Sequence, residues 1–350
     1  APLPTPPAPA VPMVPTFPVH ELGADGPHRL ESRTGMGVLM DSSRALELEQ
    51  VRGRADRWQT ITRQSPNFGF TQDGYWFRFK LLNNSPKALS RFVELPIPFL
   101  DDVRLYHLVG NTLQAQYSLG DEQPFSQRAV RHRNFIMPLQ LAPGTNEIYL
   151  RLASSGTIEA PLRVWDPVLF AAASNDESLV QGGVIGILLI MVVYNLFVFV
   201  STRDINYLFY IGFVASYLLF HLTLTGYTFA HLWPNAVRWN NFAISTFAAS
   251  SAMFTCLFTD SFLKLRSFSR PAKYLVRGMM VCSAVLMALS VVLPYSLSIR
   301  IVAAITMPIT ATALILGYWR WWQGASFARF YCLAWTAILV GIVVLNASKF

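Results

Sequence analysis

The first 180 residues contain no cysteine, and all three cysteines of the chain, Cys256, Cys282 and Cys332, fall inside apolar runs further on. This excludes a disulfide framework for the first part, which must hold together by its core alone, as a domain of about 150 residues can. Charge is scarce in the second part. From residue 181 onward there are 11 Lys and Arg but only 2 Asp and Glu, against 17 and 18 before that point. The net charge of +8 therefore sits beside hydrophobic runs and not on a soluble face, which argues against a nucleic-acid partner. Catalytic signatures are missing as well. No Gly-x-Ser-x-Gly frames Ser250 or Ser251 to pair with His221 as a serine hydrolase would require, and no two carboxylates stand out as acid and base. Asp101-Asp102 or Asp121-Glu122 offer oxygens to a calcium ion, although no oxygen-rich loop of fixed spacing frames them. A coupled transporter would show paired broken helices or a row of intramembrane charges, and neither is present. No catalytic residue, metal site or cofactor is expected within residues 1–350.

Residues 1–18 are rich in Pro and Ala and have neither the basic start nor the uninterrupted apolar stretch of a signal peptide. They read as an extended leader, with a signal expected to have been removed before Ala1, because a domain placed outside needs export.

The long hydrophobic runs are what the chain does have. The stretch 182–200 is uncharged and near the roughly 20 residues a helix needs to cross a bilayer. Further spans are expected at 205–224, 242–262, 275–293, 299–318 and 329–346, making six. Arg203, Lys264, Arg266, Arg270, Lys273, Arg277, Arg320 and Arg329 fall on one side, and Arg238, Arg300 and Lys349 on the other. The excess of positive charge places the first group in the cytoplasm and the first domain outside. With six spans and no module after them, a seventh span and a cytoplasmic output are expected beyond Phe350.

Residues 19–168 alternate in the manner of short strands, followed by a linker at 169–180 and the bundle at 181–350. In 75–82, Tyr75, Phe77, Phe79 and Leu81 share one face while Trp76, Arg78 and Lys80 share the other. The runs 37–41, 91–97, 102–109, 133–139, 146–153 and 161–168 repeat the pattern, and Ser42 or Ser43 is placed to cap a short helix through Leu46 and Val51. Many short strands at this spacing predict a two-sheet β-sandwich.

Candidate ligand-binding residues are Trp76, Arg78, Asp121, Arg128, Arg131 and Arg133. Arg128, Arg131 and Arg133 with His107 and His132 offer an anion site, although alternate basic residues on a strand also describe a solvated face. Tryptophans such as Trp76 stack on sugar rings when exposed and fill cores when not. In the membrane half, Tyr194, Asn195, Arg203, Asp204, His221 and Asp260 are candidates for transmitting a signal, because polar groups at membrane depth are costly to retain. His221 and Asp260 also fall where the interfaces would wet them.

Several short stretches together resemble a known family. In the first domain they are Tyr75 to Phe79 with Asn83, Leu100 to Tyr106, Gly120-Asp121 through Pro124-Phe125 to Arg128, Arg131 to Arg133, and Ile148 to Arg151. In the bundle they are Tyr194 to Phe197, Arg203-Asp204, Tyr207 to Tyr210, Gly226 and Phe262-Leu263. The chain resembles bacterial seven-transmembrane receptors with diverse intracellular signalling modules that carry the type-2 extracellular domain. The resemblance covers roughly residues 20–350. It implies a jelly-roll-like periplasmic sandwich that binds a carbohydrate or another small ligand, followed by an all-α polytopic bundle in the inner membrane. The implied output is a diguanylate cyclase, histidine kinase or phosphatase, and a homodimer is expected because such outputs work in pairs. The other class of reading is a docking module in which the sandwich binds a partner protein or its own copy and sets the oligomeric state of the output.

Overall fold

The computed structural model describes residues 19–22, 28–29, 36–54, 57–61 and 66–336. The chain divides into two compact units, Ala1–Asn175 and Asp176–Phe350.

The first unit is a β-sandwich. Its strands are β1 (Val19–Glu21), β2 (His28–Arg29), β3 (Gly37–Asp41), β4 (Gln59–Thr60), β5 (Asn67–Phe70), β6 (Gly74–Asn83), β7 (Leu89–Leu95), β8 (Asp102–Val109), β9 (Thr112–Leu119), β10 (Phe135–Leu141), β11 (Gly144–Ala153), β12 (Thr157–Glu159) and β13 (Arg163–Trp165). The larger sheet runs β4-β3-β6-β11-β8-β9, with β1 added in parallel to the end of β6, and the smaller runs β10-β7-β13-β2. Between them lies one core: Phe77, Phe79 and Leu81 of β6, Ile148 and Leu150 of β11 and Leu105 of β8 meet Val93 of β7 and Phe135, Met137 and Leu139 of β10. The period-2 alternation of β6 thus puts Tyr75, Phe77, Phe79 and Leu81 inward. The hairpin β8–β9, with Gly110 at φ +60 in its turn, adds a strand that the sequence reading had passed over. Leu113, Ala115, Tyr117 and Leu119 do carry the alternation that marks it.

A short helix, α1 (Leu48–Arg52), covers part of the outer face of the larger sheet. It starts four residues later than a Ser43 cap would place it, with Glu47 at the N-cap. Asp41 instead accepts from the Ser43 and Leu46 amides, and Gln50 Oε1 accepts from the Glu47 amide at 3.1 Å. Leu39, Val51, Trp58, Trp76, Leu108 and Tyr149 form a second, smaller core beneath it.

The second unit is helical. Five helices are long and apolar enough to cross a bilayer among the described residues: α2 (Pro167–Thr202), α3 (Ile205–Leu224), α5 (Val237–Phe262), α7 (Arg270–Leu289) and α8 (Tyr295–Trp322), with the short α4 (Tyr227–His231) and α6 (Leu265–Phe268) between them. Residues 328–336 are helical at the place of the sixth expected span, whose remainder lies outside the described residues. Helix α5 packs against α3, α7 and α8, and buried Cys256 and Cys332 fill one apolar cluster there.

Two expectations change at the junction. The strand expected at 161–168 closes after Trp165, and the segment expected as a linker, 169–180, is helical and continuous with the first span. Asp166 is the reason. Its Oδ1 accepts from the Val168 amide at 2.9 Å and its carbonyl from Phe170 at 2.8 Å, while Pro167 supplies a first helical residue that needs no amide partner. Arg91 Nη1 donates to Asp166 Oδ2 at 3.2 Å and holds this cap to the smaller sheet.

Candidate sensor site and its link to the first span

The six candidate ligand residues do not form one site. Trp76 is fully buried under α1 with its ring stacked on Tyr106 at 5.8 Å, so it offers no face to a sugar. Position 76 does point away from the main core, as the alternation predicts. The cover supplied by Val51 and Trp58 is what turns it into core.

Arg78 lies on the same outer face, beyond the part α1 covers. Register places Arg78 beside Tyr149 and Tyr149 beside Tyr106, while Lys80 faces Glu147 one pair further along. Glu147 accepts from Arg78 at 3.2 Å, Lys80 at 3.0 Å and the Tyr149 hydroxyl at 3.3 Å. Burial alone would raise its pKa. The Lys80 hydrogen bond and the charges of Arg78 and Lys80 outweigh that and hold it below the ordinary carboxylate value. With half-buried Tyr106 and exposed Arg104 and Gln116 alongside, this forms a polar and aromatic ledge on a rigid sheet.

Asp121 sits at one end of the sandwich, in the turn after Gly120. Its amide donates to the Leu100 carbonyl at 2.9 Å, and the chain comes so close here that a Cβ on Gly120 would lie 1.9 Å from the Asp101 carbonyl oxygen. Asp121 is only 6% exposed and its Oδ1 has no hydrogen-bond partner. Burial pushes its carboxyl up to about 8, Asp101 and Glu122 add to the shift, and Arg128 opposes it. Around it, Asp101 accepts from Ser154 Oγ and the Ser155 amide, and Arg151 joins Asp102 and the Arg44 carbonyl. These side chains tie loops together. Among the described residues, no three acidic, histidine or cysteine groups are arranged to hold a metal ion.

Arg128 is a strut. Its guanidinium lies over the rings of Phe125 and Phe135 at 4.9 and 4.3 Å and donates to the carbonyls of Pro98, His132 and Arg133. Burial lowers its pKa to about 10 against the pull of Asp121, which still leaves it charged at neutral pH. Arg131 is exposed and Arg133 half-buried in the same loop. His107, fully buried, bonds Asn146 at 2.9 Å inside the sandwich, and burial lowers its pKa.

The residue that sequence reasoning passed over is Phe170. It packs edge-on against Phe92, Trp165 and His132 at ring distances of 5.6, 6.2 and 5.3 Å, and Ser174 Oγ lies 3.3 Å from His132 Nε2. An Asp-Pro pair at a helix start, followed by an aromatic residue one turn later, was the available signal.

In the bundle, the polar candidates divide by role. Arg203, at φ +58, and Asp204, whose carboxylate accepts from the Asn206 amide at 2.9 Å, make the turn between α2 and α3. Asn195 donates to Met191 of its own helix, and Tyr194 is exposed. His221 and Asp260 do join helices, His221 to Gln181 of α2 at 3.0 Å and Asp260 to Arg277 of α7 at 2.9 Å.

Residues 177–350 match the family described as 7TM diverse intracellular signalling, and residues 33–166 match the one described as 7TMR-DISM extracellular 2. No curated protein gives a significant match. The sandwich coincides with the second match and the apolar helices with the first. The chain is thus a multi-pass membrane protein with an N-terminal extracellular domain, and it belongs to the seven-transmembrane receptors with diverse intracellular signalling that carry the type-2 extracellular domain.

Proposed function

We propose that the sandwich senses a small periplasmic ligand and that α2 conveys the bound state across a bacterial inner membrane to a cytoplasmic output, such as a diguanylate cyclase or histidine kinase. The observation that supports this reading is the continuity of α2. It begins on an Asp166 cap held by the smaller sheet, and at about 1.5 Å per residue its 36 residues extend about 54 Å. The hydrocarbon of a bilayer takes about 30 Å of that length. A helix without a flexible joint passes displacement on, by an amount bounded by the ligand's differential affinity for the two states.

For the ligand, the ledge of Arg78, Lys80, Tyr106 and Glu147 is the better place. It joins the half-buried Tyr106 ring to donors and a carboxylate on one face of the larger sheet, which suits a hydroxylated or acidic sugar. Thermal unfolding of the chain in lipid nanodiscs, screened against sugars, cell-wall fragments, anions and calcium, should show saturable stabilisation by one class, lost in Arg78→Ala. No shift from any class, with concentration-dependent dimers in light scattering, would replace ligand sensing by protein docking. For the transmission step, a flexible Gly/Ser insertion after Ser174 in a fusion to either output should abolish the ligand response. An unchanged response would show that rigid coupling through α2 is wrong.

A further inference from the structure

The loop between the 3-10 turn Phe125–Gln127 and β10 contains the basic residues that first suggest an anion site, yet its contacts lead elsewhere. One end is fixed to the sandwich. Phe125 is buried, and Arg128 is clamped between its ring and that of Phe135 while bonding the Pro98 carbonyl at 3.3 Å. Arg128 Nη1 then donates to the His132 and Arg133 carbonyls, so the guanidinium sets the path of the backbone that carries the imidazole.

The other end meets the start of α2. His132 Nδ1 accepts from the Asn134 amide at 3.1 Å, which in the neutral ring puts the proton on Nε2, the atom 3.3 Å from Ser174 Oγ. The same ring packs against Phe170. Beneath it, Asn134 Nδ2 and Trp165 Nε1 both donate to Glu94, at 2.7 Å each, so the floor on which Phe170 rests is itself hydrogen-bonded. Phe170 is the one side chain of α2 that is buried among the described residues.

We infer that Arg128 and His132 are positioning residues that couple the sandwich edge at Pro98, Phe125 and Phe135 to the first two turns of α2, so that the loop carrying them is a transmission element and not a ligand site. Arg128 fixes where His132 stands, and His132 with Phe92 and Trp165 fixes where Phe170 and Ser174 stand. The inference rests on the reading of α2 as the conveying element and adds the parts that hold it.

The test is hydrogen exchange on the whole chain in lipid nanodiscs, reading the amides of residues 170–176 beside those of β6 and β11. Arg128→Lys keeps the charge but not the fork, and His132→Ala removes the ring. Each should speed exchange at 170–176 at least tenfold while β6 and β11 stay protected, and the double variant should go no further than the faster single one. Arg131→Ala, exposed in the same loop, should change nothing. Exchange at 170–176 within twofold of the parent in both single variants, or effects that multiply in the double variant, would overturn the inference. Should Arg128→Lys or His132→Ala open the strands themselves, His132→Gln, milder in volume, decides on the same readout and thresholds. Since neither ligand nor output enters the measurement, failure of the sensing proposal and failure of this coupling are separate results.

Discussion

The sandwich and the bundle are held by different means. In the sandwich, large side chains such as Phe77, Phe79 and Leu105 are completely buried between two sheets, and polar side chains are drawn into hydrogen-bonded ties at the edges. Among the described spans the most enclosed helix is α5, and apart from Asn240 and Ile244 what it buries is small: Ala243, Ser245, Ala249, Ala252, Thr255, Cys256 and Thr259. Besides the Asp260 to Arg277 pair, three of its inter-helix bonds run hydroxyl to hydroxyl, Ser250 to Ser216 at 2.8 Å, Thr246 to Ser290 at 2.7 Å and Thr259 to Tyr331 at 2.8 Å. Water drives apolar area together, whereas lipid is as apolar as leucine, so helices in it gain by close backbone approach and by pairing polar groups. At the other extreme, α2 buries only Phe170 among the described residues, and it is held by the Asp166 cap and Phe170 at its start, by Gln181 to His221 of α3 midway and by the turn to α3 at its end.

If that contrast holds, emptying the sandwich core should be the most damaging change. Phe77→Ala should cost about 3–5 kcal/mol and lower the cooperative unfolding midpoint of the sandwich sharply, measured by denaturant titration of the chain in nanodiscs. A cost below 1 kcal/mol would mean that the two sheets are not joined by this core. Gly120→Ala comes next. The added methyl would collide with the Asp101 carbonyl oxygen, and because backbone cannot swing away as a side chain can, about 1–3 kcal/mol is expected in the same titration.

Asp121 sharpens the comparison from the polar side, since a carboxyl in a sandwich edge is tolerated only if its charge is managed. With its folded pKa near 8 and an ordinary value near 4 when unfolded, the folded chain holds a proton that the unfolded chain has lost between those two values. Stability from this group therefore falls as pH rises from about 4 to about 8, and the cost is complete above that. Asp121→Asn should remove this slope. Its melting temperature relative to the parent should be higher at pH 8 than at pH 5, by about 2–4 °C for each kcal/mol relieved. An equal difference at both pH values would show that the carboxyl is ionised in the fold.

How far these features could be read in advance depends on what each residue's role is local to. The inward face of β6 was legible because alternation is a property of one strand, and the length of the apolar runs gave the bundle for the same reason. The fate of the outward face was not, since whether Trp76 meets water depends on α1, a separate segment whose docking face no spacing states. The 169–180 stretch was misread because Ala171 to Asp176 looks polar enough for a linker, while the deciding signal, Asp166-Pro167, is a matter of hydrogen bonding at the helix start. The surroundings of Arg128 were hidden in a similar way. Its partners are carbonyls and rings, which a charge pattern does not reveal.

The smallest expected effect tests the bundle's half of the comparison most directly. Ser250→Ala removes the hydroxyl that pairs α5 with α3 but leaves the close backbone approach intact, because alanine is as small as serine without its oxygen. Polar pairs between membrane helices are worth only about 0.6 kcal/mol on average, since in the unfolded state within the bilayer each hydroxyl finds another partner. The loss should be of that order, read as a slight shift in steric-trapping or detergent unfolding of the bundle. Ser250→Leu keeps no hydroxyl either, but its bulk has to displace α3, and it should cost several times more. A larger loss from alanine than from leucine would mean that hydroxyl pairing and not close approach holds α5 at the centre of the bundle.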